Sequence, residues 1–319
     1  MSMKKIIQVI KKNKRFLIST HVNPDPDALC SELALAGYLR SIGKTVTIIN
    51  DKDVPSQYLY FSGISRIKYY REKKKVAYDV AIIVDCGELD RIGRVSNLIQ
   101  EGKVLINIDH HITNDYFGSL NLVQPKASST AEVLYELFTK AKSPLNKSLA
   151  ILLYTGIMTD TGSFRHENTT ARTHAIASEL IKFKFSVPKL YKKIYETFSC
   201  GDLKELIKVI GRFKIHFDGR VACIALSKKV LSKFTKEFDL RDTIFKFLRS
   251  VKKVDVVVIF TEAEKNKTRI NLRSSDQFDV AKLAYHFHGG GHRRASGCII
   301  NENVSQSQKI ILNRIRKTL

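Results

Sequence analysis

Two stretches of the sequence are apolar at nearly every position, and they constrain the fold more than any other feature. They are Val80–Asp85 (VAIIVD) and Val104–Asp109 (VLINID), which are of strand length and too short for a buried helix. Successive side chains of a strand point to opposite faces of its sheet, so a strand of this kind is buried on both faces. Such strands are typical of a parallel sheet that is covered by helices.

Helical patterns separate these strands from others like them. Strands are also predicted at Phe16–His21 and Lys44–Asn50, with a helix at Asp27–Ile42 between them that Gly43 ends. A short helix at Arg94–Glu101 is predicted between the two apolar strands. The alternation of strand and helix predicts an α/β domain with a parallel sheet and helices on both faces.

The alternation weakens near Pro188–Gly201, and a second block of elements follows. We predict a first domain, a linker and a smaller α/β domain over residues 1–187, 188–203 and 204–319. A capping-box pattern at Ser129 and Glu132 opens a helix in the first domain. The other predicted helices are Asn146–Met158, Thr170–Phe183, Ser227–Phe238, Thr243–Val251, Asp279–His286 and Ser305–Arg316. The other predicted strands are Arg220–Leu226, Val254–Thr261, Thr268–Arg273 and Cys298–Ile300.

Composition narrows the class of protein. The formal net charge is +23, which indicates either an anionic partner, such as a nucleic acid or nucleotide, or a plain solvated basic surface. No apolar run is long enough to span a bilayer, so we expect no membrane segment and no signal peptide. The five cysteines are scattered and form no C-x-x-C pair, a pattern typical of a reduced, cytoplasmic protein.

Ionisable residues stand where the predicted strands end, and parallel sheets bind ligands at this edge. The first strand leads into 21-HVNPDPD-27, the third ends in 84-VDCG-87 and the fourth in 109-DHH-111, while a helix leads into 159-TDTGSF-164. Each residue alone has a simpler interpretation as a helix cap or a structural histidine. Together they suggest one site. Its members are His21, Asp25, Asp27, Asp85, Asp109, His110, His111 and Asp160.

A cluster of carboxylates at one sheet edge needs a cation, because burying unpaired charges costs several kcal/mol each. Carboxylate and imidazole ligands without cysteine suit Mn²⁺, Mg²⁺ or a similar octahedral ion. Five or six ligands are too many for one ion that also binds substrate. Two ions that share a carboxylate fit the count better.

A second motif, 289-GGGHRRASG-297, lies between a predicted helix and a predicted strand. Its glycines Gly290 and Gly291 allow the backbone to approach a phosphate closely, and His292 and Arg293 add positive charge. A flexible linker and plain surface charge are the alternatives. Further candidate substrate-binding residues are Arg273 and Ser274 in 271-NLRSS-275 and Arg165 after the fourth motif.

This set of motifs resembles the DHH phosphoesterase superfamily over almost the whole chain, and the glycine-histidine motif resembles that of the DHH-associated C-terminal domain. Length and spacing most resemble the nano-RNase branch, oligoribonucleases that also act on 3′-phosphoadenosine 5′-phosphate (PAP). The departures from the family pattern are Pro26 and Cys30, where glycine is common, and His288 in place of a further glycine. None of them removes a metal ligand, so they affect specificity more than chemistry.

The resemblance implies a role for each residue of the site. One divalent ion would be held by His21, Asp25 and Asp85, and the other by Asp27, Asp85, His110 and Asp160, with Asp85 as the bridge. The ions would be Mn²⁺, with Mg²⁺ or Co²⁺ as alternatives. Asp109 would orient His110 or its loop, and His111 would contact the phosphate or the leaving oxygen. The catalytic residues would thus be Asp85, Asp109 and His111.

The implied reaction is hydrolysis of dinucleotides and very short oligoribonucleotides by water that the ions activate, and of PAP to AMP. We expect the substrate to lie between the metal domain and the glycine motif, and the resemblance also implies a homodimer. The alternatives are a cyclic or linear dinucleotide phosphodiesterase, a RecJ-like exonuclease of single-stranded DNA and a family II pyrophosphatase. Outside enzymes, a nucleic-acid-binding protein with an inactive site is the alternative.

Overall fold

A computed structural model describes residues 3–54, 58–72, 76–196, 198–235, 238–275 and 278–318, apart from the side chain of His292. The chain forms two compact units, Met1–Tyr195 and Glu196–Leu319. The boundary between them falls inside the segment 188–203 that was predicted to be a linker. Helices occupy most of that segment on both sides of the boundary.

A six-stranded sheet forms the centre of the first unit. Its strand order is β3-β2-β1-β4-β5-β6, and every neighbouring pair is parallel. This confirms the predicted parallel α/β fold. The strands are β1 Arg15–Ser19, β2 Thr45–Asn50, β3 Ile67–Tyr69, β4 Val80–Val84, β5 Val104–Asp109 and β6 Leu120–Val123.

The two faces of this sheet are both buried, as the apolar strands require. Phe16 and Ile18 of β1 pack into an apolar cluster with helices, whereas Leu17 between them packs into a second cluster on the other face. β4 alternates in the same way. The helices of this unit are α1 Met3–Lys12, α2 Pro26–Ser41, α3 Thr130–Lys140, α4 Lys147–Asp160, α5 Ala171–Ile181 and α6 Val187–Tyr195.

Two local predictions in this unit need correction. The helix expected at Arg94–Glu101 is a 3₁₀ segment, Leu89–Leu98, which bends at Gly93 because that residue has non-helical angles of φ 62° and ψ −140°. The capping box before α3 is half formed: the Ser129 hydroxyl accepts from the Glu132 N–H. The Glu132 carboxylate instead accepts from the hydroxyl of Ser128.

The second unit contains its own six-stranded sheet, in the order β11-β12-β10-β9-β8-β7. Only the β8–β9 pair is parallel. The strands are β7 Lys214–His216, β8 Val221–Leu226, β9 Val256–Glu264, β10 Lys267–Ser274, β11 Gly290–His292 and β12 Ala295–Ile300. The helices are α7 Cys200–Ile210, α8 Lys228–Leu231, α9 Leu240–Arg249, α10 Val280–Tyr285 and α11 Val304–Arg316.

Apolar clusters cover both faces of the second sheet, one with α10 and α11 and the other with α7 and α9. Of the helix predicted at Ser227–Phe238, the described residues form only the four-residue α8, and positions 236 and 237 lie outside the described structure. Across the described part of the chain, no helix combines the length and the apolar character that a membrane span needs.

Candidate metal centre

Side chains from all four motifs of the first unit converge at the edge of the sheet where β1, β4 and β5 end. Three sets of them have ligand atoms that all lie within 4.8 Å of one another. Asp85 belongs to two of the sets, so it lies at the centre of the cluster. The sets are His21, Asp25 and Asp85; Asp27, His110 and Asp160; and Asp85, His110 and His111.

The chain reaches this edge through the ends of strands and helices. Asp85 directly follows β4 with a positive φ of 53°, and its N–H donates to the carbonyl of Ile108 at 3.0 Å. Asp25 is the N-cap of α2, where its carboxylate accepts from the N–H of Ala28 at 3.0 Å. Asp160 is the last residue of α4. Residues far apart in the sequence therefore meet because these ends meet.

The first turn of α3 holds two of the carboxylates. The N–H groups of Thr130 and Ala131 donate to Asp27 at 2.8 and 3.1 Å. The hydroxyl of Thr130 donates to Asp85 Oδ1 at 2.8 Å. The unpaired N–H groups and the positive dipole at a helix N-terminus favour negative charge there. One helix end thus fixes a side chain from the first motif and one from the second.

Gly156 in α4 makes room for Asp27. A Cβ atom at this position would collide with Oδ1 of Asp27 and with Cβ of Ala131. Both neighbours belong to the rigid start of α3 and the site, so neither can move away without shifting a carboxylate. A side chain at position 156 is therefore incompatible with the site.

His110 presents one ring nitrogen to the carboxylates. Its Nδ1 lies 3.3 Å from the carbonyl oxygen of Ala127, which can only accept, so we assign the proton to Nδ1. Nε2 then keeps its lone pair, 3.4 Å from Oδ2 of Asp160 and 3.7 Å from Oδ1 of Asp85. A neutral imidazole held in this way is a typical metal ligand.

The ring that Asp109 contacts is that of His111, where the expectation was that Asp109 would orient His110 or its loop. Nδ1 of His111 lies 2.7 Å from Oδ1 of the fully buried Asp109. The amide of Asn114 donates to the other oxygen of Asp109 at 2.6 Å and to Oδ1 of Asn107 at 2.8 Å. Both carboxylate oxygens of Asp109 are thereby used, which leaves Asp109 in a supporting position rather than as a ligand.

The pKa values of the cluster reflect the cost of burying its charged groups close together. Burial, together with neighbouring carboxylates, raises the pKa of Asp27 and of Asp85 well above the usual value, and burial also raises the pKa of Asp160. Burial disfavours a charged His111, but the hydrogen bond that its Nδ1–H donates to Asp109 and the charge of Asp85 outweigh it and raise its pKa to about 9. Burial, reinforced by Arg91, lowers the pKa of His21.

The donor set fits divalent cations. Adjacent ligands of an octahedral ion are about 3 Å apart and opposite ones about 4 Å, given metal–oxygen distances near 2.1 Å. The separations of 3.4 to 3.8 Å between imidazole and carboxylate atoms lie in that range. A cation would also relieve the repulsion that raises the carboxyl pKa values. The cluster can therefore bind metal ions.

Several contributing residues were missed in the sequence. Thr130, Gly156 and Asn114 support the ligands as described, and none of them lies in a motif at a strand end. Arg91, in the 3₁₀ segment after β4, is close enough for its charge to lower the pKa of both His21 and His111. The capping pattern before α3 was the only sequence signal near these positions, and it pointed to Ser129 and not to Thr130.

The glycine motif forms an antiparallel hairpin in the second unit. Gly290 and Gly291 lie in β11 and pair with Gly297 and Ser296 of β12. Gly291 has a φ of 136°, and a Cβ there would lie 2.5 Å from the carbonyl oxygen of Ala295, whereas a Cβ on Gly290 would meet open space. The motif is thus an ordered edge strand rather than a loop.

The other candidate substrate-binding residues have varied surroundings. The Arg273 guanidinium lies over the ring of Phe245 at 4.9 Å, and burial lowers its pKa. Ser274 is buried and donates to the carbonyl of Phe278 at 2.6 Å, so its hydroxyl holds the backbone. Arg293 is exposed. Arg165 is exposed in the first unit, where its Nε donates to the carbonyl of Gly162. The side chain of His292 lies outside the described structure.

A parallel α/β unit that gathers carboxylates and imidazoles at the C-terminal ends of its strands is typical of metal-dependent hydrolases. The chain belongs to the DHH family of phosphoesterases: the description "DHH family, N-terminal domain" matches residues 15–157, and "DHHA1 domain" matches residues 224–319. DHH phosphoesterases are metal-dependent, in agreement with the donor set. The family predicted from the motifs is confirmed.

Similar proteins extend over nearly the whole chain. The probable bifunctional oligoribonuclease and PAP phosphatase NrnA of Streptococcus mutans is 32% identical over 317 residues, which cover 97% of this chain and 98% of the relative. The bifunctional oligoribonuclease and PAP phosphatase NrnA of Bacillus subtilis is 29% identical and covers 92% of each chain. The crystal structure of an exopolyphosphatase-related protein from Bacteroides fragilis is 27% identical, with a TM-score of 0.91 over 99% of this chain and 95% of that one.

Proposed function

We propose that the protein hydrolyses dinucleotides and very short oligoribonucleotides to mononucleotides, and PAP to AMP, with two divalent ions. The observation that carries this proposal is the position of Asp85 within reach of both His21 and His110. A carboxylate in that position can bridge two ions. The oligoribonuclease and PAP phosphatase names of relatives that align end to end supply the substrate class.

Each protein group has a defined task in this proposal. His21, Asp25 and Asp85 would hold one ion, and Asp27, Asp85, His110 and Asp160 the other. Bound Mn²⁺ ions would supply Lewis-acid stabilisation of the phosphoryl charge and lower the pKa of water. Oxygen-rich donors make Mn²⁺ our first choice of metal.

We propose that His111 acts on the substrate and is not a metal ligand. Its Nδ1 is taken by Asp109, and its pKa of about 9 keeps the ring protonated at neutral pH. A protonated imidazole can bind a phosphate oxygen or give its proton to the leaving oxygen. Asp109 would fix the ring and stabilise its charge, in the way that a carboxylate supports a catalytic histidine.

The second unit would bind the anionic substrate. We propose that Gly290, Gly291, His292 and Arg293 of the glycine motif, with Arg273, contact its phosphates, and that Arg165 of the first unit contributes charge. Ser274 would act indirectly, since its hydroxyl supports the backbone that leads to the motif. The five cysteines are all free, which fits a cytoplasmic protein. A homodimer remains part of the proposal.

Turnover of a set of substrates tests the function. The protein would be incubated with Mn²⁺ and a dinucleotide, a 24-residue single-stranded DNA, PAP, cyclic di-AMP or pyrophosphate. We expect the dinucleotide to react fastest, PAP to react as well, and a chelator to stop both. Digestion of the 24-mer without preference for the dinucleotide would favour a RecJ-like exonuclease, fastest turnover of cyclic di-AMP a cyclic-dinucleotide phosphodiesterase, and turnover of pyrophosphate alone would overturn the proposal.

Two matched arginine variants test the role of the second unit in substrate binding. Arg293→Ala removes a charge of the glycine motif, whereas Arg269→Ala removes an exposed charge from β10 of the same unit. We expect KM for the dinucleotide to rise at least about fivefold in the first variant, as a lost charge-assisted hydrogen bond predicts. Arg269→Ala should stay within twofold. Equal effects of both changes would show that only net charge matters.

A further inference from the structure

The first unit also has a basic pocket, far from the metal centre. The pocket has a volume of about 510 Å³ and is lined by residues of the Tyr60–Ser62 segment, the start of α4, the loop after α5 and the start of α6. Lys147 begins α4 and Asp160 ends it, so the two positions are thirteen residues apart. At about 1.5 Å per residue this is roughly 20 Å along the helix.

Positive charge dominates the rim of this pocket. Its lining includes Lys147, Lys184, Lys189 and Lys193, and no acidic residue is found among the described residues that line it. Within the described chain none of these four lysines forms an ion pair with a carboxylate, whereas Lys182 nearby pairs with Glu179. The N-termini of α4 and α6 also meet the pocket and add positive potential. The pocket therefore favours a ligand with several negative charges.

The floor of the pocket is apolar and aromatic. Phe61 is buried, Phe185 is half-buried, and the buried Leu190 also lines the pocket. The hydroxyl of Tyr60 is buried without a hydrogen-bond partner among the described residues, and the ammonium group of Lys193 lies 5.6 Å from the centre of its ring. Cationic rim and aromatic floor together suit a flat ring that carries phosphates.

We propose that this pocket is a second nucleotide site, which binds a nucleoside diphosphate or a similar nucleotide and does not hydrolyse it. Four lysines exceed what a single carboxylate needs, so a fatty acid or other monoanion fits less well. Inorganic polyphosphate would leave the aromatic floor uncovered. The volume is in the range of small-molecule sites.

A series of aromatic contacts links this pocket to the motif 159-TDTGSF-164 of the metal centre. Phe185 of the pocket contacts the ring of Tyr154 in α4 with a centroid distance of 5.3 Å, and Tyr154 contacts Phe164 at 5.9 Å. Phe164 belongs to the motif 159-TDTGSF-164 that contains Asp160. The pocket is therefore linked to the motif that contains Asp160 by two aromatic contacts, with the ring of Tyr154 between them.

Calorimetric titration with ADP in the presence of EDTA tests the proposal. EDTA removes the metal ions that the catalytic site would need to bind phosphates, and charge reversal at the pocket lysines separates binding in the pocket from binding at the glycine motif. We expect one ADP per chain. Lys189→Glu/Lys193→Glu should weaken binding at least tenfold, and Lys147→Glu on another helix should act in the same direction. Lys228→Glu/Lys229→Glu in the second unit changes the net charge equally and should have less than a twofold effect.

Pyrophosphate is the probe that separates a nucleotide site from a general anion site. It lacks the ring and should bind about tenfold more weakly than ADP, since base stacking is lost. Absence of saturable ADP binding, equal loss in the control variant, or equal affinity for pyrophosphate would each overturn the proposal. Thermal unfolding of each variant checks its fold. None of these results depends on whether the protein hydrolyses dinucleotides.

Discussion

Two of the places where the first unit buries acidic side chains have different surroundings. Asp27 and Asp85 lie among other carboxylates and imidazoles at the metal centre. Glu32, further along the same helix α2, is fully buried and accepts a hydrogen bond from the amide of Asn50 at 2.9 Å. In both places burial is the main cause that raises the pKa of the carboxyl group, to about 8 for Glu32.

The comparison shows that burial alone does not make a metal site. A single buried carboxyl group avoids its desolvation cost by keeping its proton. Several carboxyl groups that share two imidazoles offer a cation enough ligands to replace those protons. Glu32 should therefore be neutral and structural, whereas Asp27 and Asp85 should be charged and metal-bound in the working protein.

Asp85→Asn should produce the largest effect. The change keeps the shape of the side chain but removes the charge that both ligand sets share. We expect the rate of dinucleotide hydrolysis to fall at least ~10³-fold, as for the loss of a principal electrostatic group in an active site. We also expect the metal-free variant to melt at a higher temperature than the metal-free wild type, because a buried repulsive charge is gone. A variant with both lower activity and a lower metal-free melting temperature would point to a fold defect instead.

Addition of metal should have the next largest effect, on stability. A ligand that binds only the folded state at 100 times its Kd stabilises it by about 2.7 kcal/mol, or roughly 5–10 °C for a unit of this size. We expect Mn²⁺ to raise the melting temperature of the wild type and of Glu32→Gln equally, and that of Asp85→Asn hardly at all. If Mn²⁺ did not raise the melting temperature of Glu32→Gln, metal binding at the centre would depend on Glu32.

The sequence predicted the members of the cluster because their positions follow from a local pattern. An apolar strand followed by Asp or His places that residue at the C-terminal edge of a parallel sheet, wherever the strand lies in the order. Asp85 and Asp109 could be found in this way. The residues that support the cluster could not be found in this way. Thr130 contacts Asp27 across 103 residues of sequence, and Gly156 stands out only because a side chain there would collide with Asp27.

Local propensity also misjudged two backbone segments. Gly289–Gly291 has low strand propensity, yet β11 forms because β12 offers an edge with which to pair. Gly93 bends the chain directly before the helix that was expected at Arg94–Glu101, at a position where a side chain would collide with Val22 and Asp51. In both cases a neighbour outside the segment matters: β12 follows β11 directly in the chain, whereas Val22 and Asp51 are distant from Gly93 in sequence.

Asn114→Ala tests the support of His111. The change would leave one oxygen of the buried Asp109 without its 2.6 Å hydrogen bond, so the orientation of His111 would be less defined. We expect a 10- to 100-fold fall in kcat with little change in KM, as for the loss of residues that orient a ligand or catalytic histidine. The ¹⁵N signals of the His111 ring should shift too. Thr113→Ala, an exposed neighbour, is the control, and an unchanged His111 signal would assign Asn114 a purely structural role.

Glu32→Gln should change activity least, by less than about twofold, because Glu32 contacts no group of the metal centre in the described structure. Its effect on stability should depend on pH. The unfolded chain releases the proton of Glu32 near the ordinary pKa of 4.5, whereas the folded chain keeps it until about 8. Rising pH between these values therefore favours the unfolded wild type, and this loss is complete above the folded pKa.

Glutamine copies the protonated form at every pH and can donate to Oδ1 of Asn50, a buried acceptor that has no partner among the described residues. The melting temperatures of the two proteins should thus agree near pH 4.5, and that of Glu32→Gln should exceed that of the wild type by several degrees near pH 9, as a shift of about 2–4 °C per kcal/mol predicts. A difference that is the same at both pH values would mean that Glu32 is charged in the folded protein. Glu32 and the carboxyl groups of the metal centre would then not differ in their protonation state.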